Sequence, residues 1–600
     1  MIRKFFYLLI QAILVSALLV GLLLVWFSFQ SFESMKSLLN HLASDGEFEL
    51  FTLALYQILR IPFSLVGIIL VVVTGIMLYR WKKTETWLQG FLAHVGRFFQ
   101  MLRQDAHSFF DDARREINSH GWVGIASLVG LTLAALVIRL ANLDIPLSHD
   151  EAYTYNAFAS RSIWHIVSDY HLPNNHVFLS LVLNLTTRLI GNDVWALRLP
   201  TIITGALMVP AIYWLAKRLY NQETALLSAT LIIMFPVLIK YSVYARGYAI
   251  IILITLLILA LGDYVRVKKN RFAWMLIVLL SVLGFFTIPI MLFPFGALYI
   301  WLLISCALAD TRSYESKLAF LKYWVGSGIS TALVTIVLYT PIIVNNYAYF
   351  FGNGVIAPLE WEIFPATIWV RLRNTWIEWT DSIPLWIVVL GVLGILISLF
   401  FHKRISRQKF PVQFAFIIWI LIMLIWRRPD MLPRFWSFLS APLLVWSAAG
   451  VVELLRKIPG KIGKDWNPVR IIVSLIFTFV IIQSILMLPA IPTAFQNKDD
   501  MEKITIYLKN HIQEGDLVTA TPARLPALRY YFNIYEIPKG YIRQSGSFQR
   551  AFVVVDHKKS ETLSTIAPRY GFDIPTVDMK TVRIVLQLDD FTVYECNPAP

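Results

Sequence analysis

Cysteine is nearly absent: Cys306 lies inside an apolar run and Cys596 sits near the C-terminus. Two thiols so placed build neither a disulfide framework nor a cysteine metal site, and they leave the redox compartment open. Charge is also sparse, at 15% of residues against 57% hydrophobic and 14% aromatic. That balance excludes a soluble multidomain protein, which could not hide so much apolar surface. No G-x-x-x-x-G-K-[ST] loop and no G-x-G-x-x-G after a strand is present, so nothing suggests a nucleotide cradle. There is no internal repeat and no low-complexity tract. The net charge of +15 falls in short clusters between apolar runs, as cytoplasmic loops do, and not along a nucleic-acid-binding face. The expected surroundings are a lipid bilayer, with no nucleic acid.

Thirteen apolar runs are long enough to cross a bilayer, at 5–27, 61–79, 122–141, 195–216, 224–243, 247–264, 272–288, 290–308, 321–343, 383–402, 411–426, 435–455 and 470–490. The first is too long for a signal-peptide core and lacks a small-residue cleavage site before Ser31-Phe-Glu33, so it reads as a retained span. A fourteenth run, His176 to Ile190, is shorter and interrupted by Asn184, Thr186, Thr187 and Arg188. Lys and Arg mark cytoplasmic loops. The clusters are Arg80 with Lys82 and Lys83; Lys217-Arg218; Arg266 with Lys268, Lys269 and Arg271; Lys403-Arg404 with Arg407 and Lys409; and Arg456-Lys457 with Lys461, Lys464 and Arg470. They share one side only if His176–Ile190 lies in the interface as an amphipathic segment. With that choice 142–195, 345–382, 427–434 and everything after about 491 face outward.

The expected fold is therefore an all-α polytopic membrane protein with about 13 transmembrane helices and a small C-terminal extracytoplasmic α/β domain. Residues 1–121 carry two N-terminal spans and a basic linker, 122–490 the main membrane domain, and 491–600 the soluble domain. The last shows a helix over Asp499–Ile512, a strand over Asp516–Ala520, a helix near Pro522–Phe532 and a strand over Phe552–Asp556.

Asp150 and Glu151 open the first large outward loop, where a carboxylate can take a proton from an acceptor hydroxyl within reach of a lipid head group. A solvated helix end is the bland alternative. Against it stand the aromatic stretch Tyr153, Tyr155, Phe158 and Trp164 and the Pro173-Asn-Asn-His176 entry to the in-plane helix, which add Tyr153, Asn175 and His176 as acceptor-binding or orienting candidates. A second constellation is basic: Lys240 and Arg246 among Tyr241, Tyr244 and Tyr248, and Arg427, Arg428 and Arg434 in or beside an eight-residue loop. Outward cations run against the charge bias unless an anion holds them, and guanidinium forks suit phosphate oxygens. Snorkelling to head groups is the alternative, chiefly for Arg427 and Arg428; Arg198 reads as a structural anchor. His149, His171 and His176 share the loop with the two acids, but their spacing fits no common metal pattern such as H-E-x-x-H. No cofactor is required, and a divalent metal stays open without a supporting pattern.

The order His149-Asp-Glu-Ala-Tyr153, Asn174-Asn-His176, Gly191-Asn-Asp-Val-Trp-Ala-Leu-Arg-Leu-Pro200, Lys217-Arg-Leu-Tyr220 and Tyr241-Ser-Val-Tyr-Ala-Arg-Gly-Tyr248 resembles the multispan glycosyltransferases of the protein O-mannosyltransferase and lipid A aminoarabinose transferase group. The likeness runs from about Trp122 onward and is strongest over 143–260. It implies a GT-C fold and inverting transfer of a sugar from a polyprenyl-phosphate donor to an acceptor hydroxyl on a protein, lipid or glycan. Asp150 matches the family's general base and Glu151 its acidic neighbour; Arg434, in Arg-Phe-Trp-Ser-Phe-Leu-Ser-Ala-Pro442, matches a late Arg that contacts the lipid phosphate. Two departures concern the acceptor site and any metal: Tyr244 stands where relatives carry an acid, and Thr287-Ile288 where many carry Thr-His. Nothing resembles an endoplasmic reticulum retrieval signal, so the expected location is a bacterial plasma membrane, with the site outside. The rival reading is a lipid or glycan transporter or flippase, but its usual midplane ionisable residues and repeats are not in evidence.

Overall fold

The computed structural model describes residues 2–42, 51–119, 121–346, 357–457, 468–543, 547–559, 561–563 and 580–598. Lys461, Lys464, His120 and the 347–356 part of an outward loop lie outside the described residues. The chain forms two units, Met1–Asp105 and Ala106–Pro600. In the first, the helices Ile2–Phe29 and Leu53–Tyr79 pack through Gly21 and Gly67, where a Cβ on Gly67 would lie 2.8 Å from the Gly21 carbonyl oxygen. Small residues permit such close backbone approach in lipid, where helices gain little from the hydrophobic effect. Phe27, Phe32, Phe51 and Tyr56 form an aromatic cluster beside it.

The basic linker is one 38-residue helix, Trp81–Asn118. Its last residues belong to the second unit: Phe109 packs 5.1 Å from the Tyr264 ring, and Asp112 accepts from the Tyr264 hydroxyl at 2.8 Å. These contacts tie the end of the linker helix to the second unit.

Each of the thirteen apolar runs is helical, but the count of spans differs from expectation. Among the described residues nine helices are long and apolar enough to cross a membrane, and eleven spans result if two bent pairs each count as one. The 224–243 run is broken into Gln222–Met234 and Pro236–Val243, bent by 62°, because Pro236 cannot donate to the preceding turn. Phe364–Thr380 and Leu385–Phe400 are bent by 117° at the break before Leu385, where Pro384 lies. Two further runs form the shorter helices Arg271–Thr287 and Val412–Arg427. His176 to Ile190 gives the 14-residue helix Val177–Ile190, about 21 Å long at 1.5 Å per residue and too short for a ~30 Å hydrocarbon core.

Tyr248–Val267 runs through the middle of the second unit and is almost wholly buried, whereas Lys317–Asn345 and Pro468–Met487 are mostly exposed. The peripheral helices turn large apolar side chains such as Val337, Leu475 and Leu486 outward, as lipid requires. The C-terminal part carries a four-stranded sheet, β1 (Leu517–Ala520), β2 (Ala551–Asp556), β3 (Arg583–Gln587) and β4 (Phe591–Cys596), in the order β1-β2-β4-β3. β1 and β2 are parallel, joined through the helix Leu525–Ile534, and the other pairs are antiparallel. All six β2 residues are buried, which explains their continuous apolar run. Asp499 caps the helix Asp500–His511 by accepting from Glu502 N–H at 2.9 Å.

Leu385–Phe400 and Ser437–Arg456 cross so closely that a Cβ on Gly450 would sit 1.8 Å from the Gly394 carbonyl oxygen. Gly450→Val is expected to separate these helices at a cost of about 1–3 kcal/mol or more. A heated-detergent aggregation assay should show a lower midpoint, and an unchanged midpoint would contradict the crossing.

Candidate functional site

The sequence Ser148-His-Asp-Glu151 is a capping box at the start of the short helix His149–Thr154. Ser148 N–H donates to Glu151 Oε2 at 2.9 Å, and Glu151 N–H donates to Ser148 Oγ at 3.3 Å. Glu151 is fully buried, as is Arg198, which donates to it from Nε at 3.0 Å and Nη2 at 3.1 Å. Ala245 N–H adds a third donor at 2.8 Å, and Arg198 also holds the carbonyls of Leu143 and Ile145 at 2.9 and 2.6 Å. Burial pushes the Glu151 carboxyl up, but Arg198 and the two backbone donors outweigh it and hold the group below the ordinary carboxylate range. Glu151, expected as a catalytic partner, is thus a sealed anchor. Arg198 is its counter-ion, in keeping with the anchoring role read from the sequence.

Asp150, one residue earlier, points elsewhere. Its side chain is 31% exposed and its Oδ2 lies 3.7 Å from Arg434 Nη1, itself 44% exposed. Arg434 is delivered by the 3-10 turn Pro433–Trp436. The preceding loop is tied down by a bidentate pair between Arg371 and Asp430, at 2.7 and 2.9 Å. Arg428 is committed to the Leu359 carbonyl at 2.7 Å and to the Trp361 ring, so it anchors this loop, while Arg427 is exposed.

Arg246 stands beside Asp150 but is 3% exposed. Nη1 donates to the Asp150 and Asn174 carbonyls at 3.3 and 3.2 Å and to the Thr154 hydroxyl. Nη2 reaches Asn174 Oδ1 at 2.5 Å and His176 Nε2 at 2.9 Å. Both terminal nitrogens are engaged, so Arg246, expected at the donor phosphate, braces the loop in this structure. His176 is buried with Gly247 N–H directed at Nδ1 at 2.9 Å. Burial, then Arg246 and Arg434, hold its pKa well below the ordinary value, so the ring is neutral.

Lys240, the third expected phosphate ligand, pairs with Glu378 at 2.9 Å, and Tyr241 donates to the same oxygen at 3.2 Å. The Tyr241 and Tyr248 rings lie 5.5 Å apart, and Tyr248 lies 5.5 Å from His176, which joins Lys240 to the site through an aromatic wall. Tyr153 bonds His171 Nε2 at 2.8 Å, and His171 Nδ1 faces Asp169 at 2.9 Å. Asn175 is buried and spends its amide on the Ile166 and Asp169 carbonyls, both at 2.9 Å; Asn174 is the one that turns toward Arg246. Sequence reading did not single out Glu378, Asn174, Thr154 or the Arg371–Asp430 pair. A lone Glu among the Trp residues of Phe364–Thr380 was the available signal for Glu378.

The C-terminal domain packs on this loop. Asp499 Oδ2 accepts from Leu147 N–H at 2.9 Å and from the Tyr531 hydroxyl at 2.7 Å, and Tyr530 packs 5.1 Å from Tyr155. Glu151 is consumed by Arg198 and His176 faces two donors, and among the described residues no three His, Cys, Asp or Glu gather closely enough to ligate a metal.

Fold and site define a polytopic membrane protein in which an accessible carboxylate, Asp150, faces an accessible guanidinium, Arg434. Residues 176–339 match the family model of dolichyl-phosphate-mannose-protein mannosyltransferases, within the region where the motifs carry the resemblance. Comparison with curated proteins gives no match. Among solved structures the chain is similar to ArnT from Cupriavidus metallidurans bound to undecaprenyl phosphate, at 12% identity and a TM-score of 0.48, covering 79% of this chain and 98% of that one. It is also similar to the oligosaccharyltransferase AglB from Archaeoglobus fulgidus in complex with an inhibitory peptide and a dolichol-phosphate, at 14% identity and a TM-score of 0.41, covering 76% and 72%.

Removing the Arg198 cation strands a buried carboxylate, which costs about 3–5 kcal/mol. Arg198→Met should therefore melt well below wild type in detergent, with partial recovery in Arg198→Met/Glu151→Gln; equal melting of wild type and the single variant would discount the pair. His176 gives a pH dependence. Its folded pKa is depressed, so below about 6.5 the unfolded chain takes up a proton that the folded ring refuses, and stability falls by up to ~1.4 kcal/mol per pH unit. His176→Asn should narrow the melting difference between neutral and mildly acidic buffer, and an identical difference would exclude His176 as its source.

Proposed function

We propose that the protein is a membrane glycosyltransferase that moves a sugar from a polyprenyl-phosphate donor to an acceptor hydroxyl. The observation that carries this reading is the pair Asp150 and Arg434. The two are near enough to share one reacting centre, at 3.7 Å, and both are accessible where their neighbours Glu151 and Arg246 are sealed. The match of residues 176–339 to a family named for a dolichyl-phosphate-linked sugar donor supports the donor class.

In the proposed reaction Asp150 removes the acceptor proton while the hydroxyl oxygen bonds to the anomeric carbon from the face opposite the leaving group. The bond from that carbon to the phosphate oxygen breaks, and the lipid phosphate departs with the electron pair and so with inversion. Arg434 is placed to meet the charge that develops on the phosphate, which is the main electrostatic contribution such a site can make. Arg246 and His176 act as positioning residues: they fix the backbone of Asp150, Thr154 and Asn174 without facing the reactants. Lys240 is held by Glu378 and is a candidate for the rim of the donor site. The site would lie on the extracytoplasmic side of a plasma membrane, since the basic loops that mark the other side gather at the opposite helix ends.

Full-length protein with a panel of polyprenyl-phosphate and polyprenyl-diphosphate sugars tests this directly by native mass spectrometry and product formation. Asp150→Asn should lose about 100- to 10,000-fold in turnover while retaining the donor. Arg434→Ala should instead weaken donor retention roughly tenfold or more, the loss of a charge-assisted contact. Normal turnover in Asp150→Asn would remove the base assignment, and retention of no monophosphate sugar by folded wild type would remove the transferase reading.

A further inference from the structure

A second polar cavity lies far from Asp150 and independent of the transferase reading. The helix Val194–Leu219 carries Arg198, which anchors the site loop, near one end and Lys217 near the other. Lys217 lies nineteen positions after Arg198, about 28 Å at 1.5 Å per residue, roughly the thickness of a hydrocarbon core. At the Lys217 end is a cavity of about 390 Å³, within the ~300–1,000 Å³ range of small-ligand sites. Its cations come from four separate segments: Lys217 and Arg218 from this helix, Arg266 from the end of Tyr248–Val267, Arg312 from the connection between Leu292–Ala307 and Lys317–Asn345, and Arg407 from the connection before Val412–Arg427.

Five cations there face two carboxylates, Glu116 and Asp263. Asp263 is already engaged by Arg266 at 2.8 Å, Arg218 at 3.0 Å and Gln408 at 3.1 Å, and Glu116 has Arg218 at 3.8 Å. Arg266 spends its remaining terminal nitrogen on Asp310 at 2.9 Å. The Arg218 Nε is buried without a hydrogen-bond partner. Among the described residues neither Arg312 nor Arg407 joins an ion pair, yet their backbones are pinned: Arg312 N–H donates to the Arg266 carbonyl at 3.1 Å, and Arg407 N–H to the Leu219 carbonyl at 3.3 Å. The cavity therefore has preplaced guanidinium groups in excess of its acids, and its lining asks for a counter-anion.

We propose that this cavity binds a phosphate-bearing anion, the chemistry shared by an anionic phospholipid head group and inorganic phosphate. Guanidinium forks from separate segments suit a tetrahedral oxyanion better than a halide, because each fork can offer paired N–H donors. The position at the ends of membrane helices, among basic loops, is that of head-group pockets between transmembrane segments. Arg218 and Arg266, paired and largely buried, form the floor; Arg312 and Arg407, exposed at the rim, close on the ligand.

The test uses full-length protein in mild detergent, with phosphatidylglycerol or phosphatidylcholine added and retained lipid read by native mass spectrometry. Inorganic phosphate is compared with chloride at equal ionic strength by melting temperature. Wild type should retain phosphatidylglycerol selectively, or be stabilised by phosphate, and Arg312→Ala/Arg407→Ala should reduce the response roughly tenfold, as loss of charge-assisted contacts predicts. A response to lipid but not to phosphate assigns the head group, and a response to phosphate assigns the soluble ion. Arg312→Gln, a single change of an exposed side chain, repeats the comparison if the double variant fails to fold. Lys403→Ala, outside the cavity lining, should behave as wild type. The proposal is overturned if wild type shows neither response, if the cavity variants respond undiminished, or if Lys403→Ala loses as much as they do.

Discussion

The buried pair of Glu151 and Arg198 is the interaction on which the loop that carries Asp150 depends. It closes a capping box, takes up the Ala245 N–H, and holds the carbonyls that lead into the helix, so three separate segments meet on one carboxylate. A charge pair stripped of water is costly to assemble, and only this full set of donors offsets the desolvation. Its consequence is directional. Successive residues on a helix point about 100° apart, so fixing Glu151 inward turns Asp150 toward Arg434.

Arg246 is a second brace built on the same logic. It ties the carbonyls of Asp150 and Asn174 and the hydroxyl of Thr154 to one guanidinium, joining a short helix to an irregular loop. The C-terminal domain adds a third constraint through Asp499, which receives both Leu147 N–H and the Tyr531 hydroxyl. Between these braces Asp150 and Arg434 stay accessible and face each other, which is why the proposed chemistry falls on them and not on their buried neighbours Glu151 and Arg246.

The two ends of the helix bundle solve opposite electrostatic problems. At one end cations are matched almost one to one by acids or carbonyls, leaving Arg434 facing Asp150; at the other, Arg312 and Arg407 stand over a cavity whose acids are already engaged. Both arrangements sit at helix ends, and a charge held within the hydrocarbon would be far more costly than one at its edge.

The sequence by itself determined the membrane class, the helical nature of all thirteen apolar runs, the shorter helix Val177–Ile190 and the C-terminal domain, whose strand β2 and capped helix Asp500–His511 were legible from local pattern. Those features are set by hydrophobic run length, periodicity and capping chemistry, all of which act within a few residues. It also brought the eye to Asp150, Arg246, Arg434 and His176. Only the tertiary structure decided what each does: that Glu151 is sealed by an arginine 47 positions away, that Arg246 is spent on backbone carbonyls, that Asn174 and not Asn175 faces it, and that Glu378 claims Lys240. The length test on spans likewise needed the fold, since a proline break at Pro236 leaves composition unchanged while bending the helix by 62°. A side chain's role follows from which partners reach it and how much water is left, and neither quantity is local in the chain.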